Sequence, residues 1–126
     1  MILKVNFLSG IPTYRQITDG IKEEIASGRL KPMDELPSVR NMAIQLKINP
    51  NTVSHAYKEL INEGVIFSRQ GMGFYIRPVE EKNLQSIAEG IKKSIIEAKV
   101  RNLTKDELEL IVDRIIGDVY DKSGEL

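Results

Sequence analysis

Apolar residues recur along this chain at helical spacing in five stretches, and the run is interrupted once by two short β-prone segments. Tyr14, Ile17, Ile21 and Ile25 form the first stripe. Pro12 suits the first position of that helix, because its missing N–H needs no partner there. Ser27-Gly28 ends it, with Gly28 as a left-handed cap. Leu30 to Leu36 is a connection, turned by Lys31-Pro32-Met33-Asp34. Ser38 opens a second helix as its N-cap, with Val39, Met42, Ala43 and Leu46 facing inward. Lys47-Ile48 makes a turn. Asn49 then caps a third helix whose first residue is Pro50, and Val53, Ala56, Tyr57, Leu60 and Ile61 line its inner face. Glu63-Gly64 stops it. Val65 to Ser68 and Phe74 to Arg77 read as two strands joined by Gln70 to Gly73, where two glycines supply positive φ. Pro78 ends the second strand. A two-stranded hairpin is marginal alone, so it must pack on the helices.

Short helix, turn, second helix, hairpin is the layout of a winged helix-turn-helix. That shape lays one helix in the major groove of DNA with a hairpin beside it. Beyond residue 79 the pattern changes. Leu84, Ile87, Ala88, Ile91, Ile95 and Ala98 make one stripe. Thr104 and Glu107 then form a capping box, followed by Leu108, Ile111, Val112, Ile115, Ile116 and Val119. Two helices alone cannot hide that much apolar surface. A second copy of the chain is the economical cover; the competing reading folds both helices back on the first domain. The expected fold class is mainly α with a small β hairpin (α+β). Residues 1–79 form the winged helix-turn-helix and 80–126 a two-helix dimerisation hairpin.

Composition narrows the classes. The 126 residues contain no cysteine, which removes disulfide and thiolate chemistry and predicts an intracellular, cytoplasmic setting. The N-terminus is too short and polar for a signal peptide, and no apolar run approaches the ~20 residues of a membrane span. Eighteen basic residues balance eighteen acidic ones. The balance is uneven: residues 1–79 carry ten basic and seven acidic side chains, residues 80–126 eight and eleven. A mild positive excess in the first part has the sign expected of a face turned to phosphates.

Pro12-Thr-Tyr-Arg-Gln-Ile17, Ile25-Ala-Ser-Gly-Arg-Leu-Lys-Pro32, Leu36-Pro-Ser-Val-Arg40 and Glu63-Gly-Val-Ile66, leading into Arg69-Gln-Gly-Met-Gly73, stand in order over about half the chain. Together they resemble the DNA-binding domain of the GntR family of bacterial transcription regulators. Asn49-Pro-Asn-Thr-Val53, followed by Ala56-Tyr57 and Glu59-Leu60, resembles its YtrA-type subfamily, as does the two-helix tail. The resemblance implies a tail that dimerises, no large effector domain, and a homodimeric repressor whose target operon includes its own gene. It also exposes departures. Met33 stands where the family usually has glycine, which predicts that the Lys31–Asp34 turn avoids the type II form, since that form wants φ > 0 there. Asn41 replaces the glutamate that would complete a capping box with Ser38. Pro50 and Ser54 stand where many relatives carry arginine, and Phe74 where threonine is common.

The candidate DNA contacts fall in four groups. Ser38 and the amides after it favour a phosphate. Arg40 matches the contact arginine of the family's second helix; its competing role is a pair with Asp34 or Glu35. The third helix presents Asn49, Asn51, Thr52, Ser54 and His55 at the end that enters the groove, with Asn51 suited to adenine and Thr52 to a thymine methyl or a phosphate. Asn49 has helix capping as its simpler role. Without arginine on this face, the palette favours A·T over G·C pairs. The wing presents Arg69, Gln70 and Gly71, where bare glycine backbone and a flanking arginine suit the minor groove. Lys47 and Lys58 are further phosphate contacts.

Other chemistry finds little support. His55 is the only histidine, and a zinc site wants three or four ligands. Neighbouring Ser54 points away from it on a helix, so no Ser–His pair forms. Gly71-Met72-Gly73 precedes a strand, not a helix, and is no dinucleotide fingerprint. The sequence therefore predicts no enzyme, no metal and no cofactor. The expected partners are an operator duplex and a second copy of the chain. An unidentified small-molecule effector between the tail helices or at the dimer seam remains open. So does a winged-helix module that binds protein in place of DNA.

Overall fold

The computed structural model of the protein describes residues 3–78 and 81–121. Helices α1 (Thr13–Ala26), α2 (Val39–Leu46) and α3 (Pro50–Asn62) precede strands β1 (Ile66–Arg69) and β2 (Gly73–Ile76). Helices α4 (Glu81–Val100) and α5 (Lys105–Asp121) follow. The chain divides into two units, with the division after Pro78.

In the first unit the apolar stripes converge as their spacing predicts. Ile17 and Ile21 of α1, Met42 and Ala43 of α2, and Val53, Ala56, Tyr57 and Leu60 of α3 are buried together with Leu30, Leu36, Ile66 and Ile76. Tyr14, Ile25, Val39, Leu46 and Ile61 sit half-buried against that cluster. Pro12 is the N-cap of α1, one position ahead of its expected place inside the helix. The Ser38 hydroxyl accepts the Asn41 N–H at 3.0 Å, and Asn49 Oδ1 accepts the Asn51 N–H at 2.8 Å. With α2 ended by Lys47 at φ 56°, these caps fix both ends of the helix-turn-helix bend.

The strands pair antiparallel with Ile66 opposite Ile76 and Phe67 opposite Tyr75. Each strand is displaced by one residue from its expected span. Strand β2 is not left with β1 as its only partner. Glu35 bridges Tyr75, the Leu36 N–H donates to the Phe74 carbonyl at 2.9 Å, and the Met33 N–H donates to the Ile76 carbonyl at 2.8 Å. The connection after α1 thus borders β2 on its other edge, which helps a short hairpin hold its place.

That pairing corrects the expectation for the Lys31–Asp34 turn. Met33 has φ 72°, Pro32 precedes it, and the Asp34 N–H donates to the Lys31 carbonyl at 3.0 Å. This is the type II form that a non-glycine residue was expected to avoid. The reason is tertiary. The bond from Met33 to Ile76, a return bond from the Ile76 N–H to the Asp34 carbonyl at 2.9 Å, and the Asp34 carboxylate accepting the Lys31 N–H at 2.8 Å determine the turn. Methionine is unbranched at Cβ, so it tolerates the left-handed region better than valine or isoleucine.

The segment before α1 is folded as well. Gln16 binds it: its Oε1 accepts the Asn6 N–H at 2.8 Å, and its Nε2 donates to the Asn6 and Ile11 carbonyls at 3.0 and 2.9 Å. Leu3 lies over Gly20, with its Cδ2 2.6 Å from where a side-chain Cβ would stand, so a side chain at position 20 would have to displace that of Leu3.

In the second unit, α4 ends in a Schellman turn. The Leu103 N–H donates to the Ala98 carbonyl and the Asn102 N–H to Lys99, both at 3.0 Å, with Asn102 at φ 67°. The capping box forms as expected: the Glu107 carboxylate accepts the Thr104 N–H at 3.0 Å, and Thr104 Oγ1 accepts the Glu107 N–H at 3.2 Å. Those bonds, the backbone one first, hold the Glu107 carboxyl below its ordinary pKa. Ile87, Ile91, Ile95, Leu108, Ile111, Val112 and Ile115 line one apolar groove between the helices. Leu84 and Val119 extend the exposed apolar surface along each helix. Most of this surface is open: Ile91 keeps 56% exposure and Ile115 54%. Among the described residues, no helix is long and apolar enough to cross a membrane.

Candidate nucleic-acid interface

The buried side of α3 fixes which side chains remain outside. With Val53, Ala56 and Leu60 in the core, the 100° step of a helix turns Asn51, Ser54, His55 and Lys58 to the opposite arc. Asn51, His55 and Lys58 are exposed and Ser54 is half-buried. Thr52 sits on the flank of that arc, half-buried, with its N–H on the Asn49 carbonyl at 3.0 Å.

Capping leaves chemistry to spare. Asn49 uses one lone-pair side of its amide oxygen, so its NH2 donors still face solvent. Ser38 accepts through oxygen, and its own hydroxyl hydrogen remains a donor. Two exposed helix N-termini therefore carry both free amides and a side-chain donor, a combination that suits phosphate oxygens.

Charge on this unit is partly cancelled and partly not. Lys22 pairs with Glu63 at 2.7 Å, joining α1 to the far end of α3, and Arg29 Nε donates to the buried Glu24 carboxylate. Arg40, Lys47 and Lys58 make no ion pair among the described residues. Arg40 thus does not take the alternative partners Asp34 and Glu35. Unpaired exposed cations are the charges from which counterion release is built.

His55 behaves differently from its neighbours. Its ring stacks on Tyr14 of α1, centroids 3.9 Å apart at 21°, and its Nε2 lies 3.7 Å from a Glu59 carboxylate oxygen. Half of its side chain is still exposed (51%), so one edge stays open to a ligand. Its partner Tyr14 is 41 positions away, and helical spacing alone gives no hint of the stack.

The wing projects Gln70, Gly71 and Met72 at its tip, all exposed. Gly71, at φ 75°, has no heavy atom within 4 Å of where a Cβ would be, so its backbone is bare. At Gly73 the Glu35 carboxylate stands 2.9 Å from such a Cβ. Arg69 lies over two rings: its guanidinium carbon is 5.9 Å from the Phe67 centre and 5.6 Å from that of Tyr75. Phe67, Met72 and Tyr75 were not among the expected site residues. The alternation Phe67-x-Arg69 and Tyr75-x-Arg77 is the signal that places rings and guanidinium groups on one face of a hairpin. Among the described residues, no group of three or more His, Cys, Asp or Glu is arranged to hold a metal.

Comparison with known proteins agrees with this geometry. The family described as bacterial regulatory proteins, gntR family, matches residues 13–76, from the start of α1 to the end of the wing. The HTH-type transcriptional repressor YtrA of Bacillus subtilis (strain 168) is 37% identical over 123 residues, covering 94% of this chain and 95% of that protein. The solved structure of YtrA from Sulfolobus acidocaldarius, a GntR-family transcription factor, superposes with a TM-score of 0.73 at 35% identity, over 93% of this chain and 98% of that one. The DNA-binding domain of AraR in complex with operator ORX1 superposes with a TM-score of 0.55 at 25% identity, over 60% of this chain and 98% of that one. A recognition helix with open polar donors, a bare-backboned wing and full-length similarity to a small repressor lead to one assignment: the chain belongs to the GntR family of regulatory proteins and is of its YtrA type.

Proposed function

We propose that this DNA-binding regulator works in the cytoplasm as a homodimeric repressor, joined through α4 and α5 and reading an operator of two inverted half-sites. The observation that carries the reading is the open apolar groove of the second unit. Ile87, Ile91, Ile95, Ile111 and Ile115 are 41–56% exposed, while nothing in α5 is buried. Monomeric proteins rarely leave a contiguous apolar face of this kind uncovered, and a twofold mate covers it with its own copy. Two winged units then meet one duplex, and twofold symmetry requires inverted half-sites about one helical turn, or a multiple, apart.

Within each half-site, Asn49, Asn51, Thr52 and Ser54 enter the major groove. Ser38, Arg40, Lys47 and Lys58 take phosphates, and Arg69, Gln70 and Gly71 follow the minor groove. His55 contributes its open ring edge only, since Tyr14 holds its face. The AraR domain has been solved with its operator, which supports this docking for a related fold. A small molecule that bound the tail would switch the protein only by preferring one spacing of the two wings. The test is sequencing of the DNA fragments retained by the purified protein, with its mass measured in solution. The reading expects one enriched inverted repeat and a dimer. Enrichment of no sequence, or of a single half-site by a monomer, overturns it.

A further inference from the structure

The outer face of the β1–β2 hairpin carries rings and guanidinium groups in register. Phe67 stands opposite Tyr75 and Arg69 opposite Gly73. Residues two apart on a strand share a face, so Phe67, Arg69, Tyr75 and Arg77 lie on one side, with the buried Ile66 and Ile76 on the other. The two rings stack at 5.6 Å and 28°. Arg69 rests over both rings, and Arg77 lies over Phe67 at 5.6 Å. Gly73, across from Arg69, offers no side chain that would displace the arginine. The Tyr75 hydroxyl also donates to the Met72 carbonyl at 2.9 Å, and the Met72 N–H donates to the Arg69 carbonyl at 2.9 Å. One residue therefore holds both the wing's arginine and the backbone of its tip.

We infer that Tyr75, with Phe67 stacked on it, is a positioning residue of the wing: its ring sets the direction of Arg69 and its hydroxyl sets the shape of the Gln70–Met72 tip before DNA arrives. The inference rests on the DNA-binding reading and adds to it a residue that need touch no DNA. An exposed arginine has many rotamers to lose on entering a groove, and an arginine already laid on two ring faces has fewer. A tip whose carbonyl is tied down presents the bare Gly71 backbone in one conformation. Tyrosine supplies both functions at once; phenylalanine supplies only the ring and leucine neither.

The test uses the full-length protein and a duplex that the wild type selects from a random-sequence pool. Affinities are compared for wild type, Arg69→Ala, Tyr75→Leu, Tyr75→Phe and the double variant Arg69→Ala/Tyr75→Leu. Tyr75→Leu is expected to weaken binding about three- to tenfold when Arg69 is present, and in the Arg69→Ala background by only the smaller factor that loss of the tip bond alone gives in Tyr75→Phe. Tyr75→Phe, which keeps the ring, is expected to retain the coupling to Arg69 and lose only the contribution of the tip. A merely structural tyrosine predicts the same loss with or without Arg69, and that additivity overturns the inference while leaving DNA binding intact. Failure of the wild type to select any duplex overturns the DNA-binding reading itself, and this inference with it. Should Tyr75→Leu fail to fold, NMR of the unbound wild type supplies the readout. Arg69 side-chain protons moved upfield by the two rings support the platform, and random-coil positions overturn it.

Discussion

The Tyr57 phenol donates a 2.7 Å hydrogen bond to the carbonyl of Pro37, tying the middle of α3 to the residue just before the cap of α2. The ring is 1% exposed and meets Phe74 edge-on at 4.8 Å. One side chain thus ties the two helices of the bend to each other and to β2 of the wing. Burial pushes the phenol pKa up, because the phenolate has no water around it. In the unfolded chain the phenol ionises near pH ~10; in the folded protein it stays neutral. The stability it supplies is therefore complete below that pH and is lost as pH rises from there towards the folded value. Tyr57→Phe is expected to cost about 1–2 kcal/mol at neutral pH, because the Pro37 carbonyl loses its donor. It should also flatten the fall in stability above pH ~10, since the variant has no phenol to ionise at this position. Urea midpoints at pH 7 and across the alkaline range check both; equal alkaline slopes in the two proteins would contradict the account.

Met33 occupies a left-handed turn position that has no steric need for a side chain. Its N–H is committed to Ile76 and its side chain is 48% exposed, so glycine keeps every bond and removes the Cβ clash. Met33→Gly is expected to stabilise the first unit by about 0.5–1 kcal/mol, the relief being partly offset by the freer unfolded chain. Met33→Val should destabilise it, because branching at Cβ worsens the clash. Chemical denaturation orders the three proteins; a glycine variant less stable than wild type would show that the methionine side chain packs usefully.

The contrast between Tyr57 and Met33 shows what was legible in the sequence. Stripes at 3.6-residue spacing and caps are local signals. Ser38, Asn49 and the Thr104–Glu107 box therefore formed where the sequence placed them, and Ile17, Ile21, Val53 and Leu60 went inside. Met33 was misread because its conformation is set by β2, more than forty residues on, and no local rule carries that. The same holds for the Glu35–Tyr75 bridge and the His55–Tyr14 stack. The ring and arginine face of the wing lay between these cases. Its alternation was visible, but which ring met which arginine followed only from the register that sets Phe67 opposite Tyr75. Gln16 binding residues 6–11 was invisible, since a lone glutamine in a helix has no pattern.

Phosphate and base contacts separate by their response to salt. Lys58 and Arg40 are exposed cations without ion-pair partners among the described residues, so each that meets a phosphate releases about one counterion. Lys58→Ala is expected to weaken binding to all duplexes alike and to flatten the log–log salt dependence by about one unit. Asn51→Ala should leave that slope alone. It should cost about 1–3 kcal/mol at the base pair it reads, with relaxed choice there. Fluorescence anisotropy at several salt concentrations, on the preferred duplex and on one altered at single positions, distinguishes the two. A slope change from Asn51→Ala, or none from Lys58→Ala and Arg40→Ala together, would reverse the assignment of roles.

Ile91 of α4 and Ile111 of α5 both line the apolar groove between those helices, and both are exposed. A carboxylate placed at either position meets water in a lone chain at little cost. In a dimer seam it must be desolvated without a partner, which costs several kcal/mol. Ile91→Glu is therefore expected to leave helix content nearly unchanged while the mass in solution falls from a dimer towards the 14.2 kDa of one chain. Lys93→Ser, on the opposite side of α4, should leave the mass as it was. Separated protomers lose the high effective concentration of the second winged unit, so operator affinity should drop by about 10²-fold or more, while a duplex with one half-site is bound as before. Sedimentation and mobility shifts on one- and two-half-site duplexes measure this directly. A variant that stays dimeric, or one that loses both duplexes equally, would show that the apolar groove is not where two copies join.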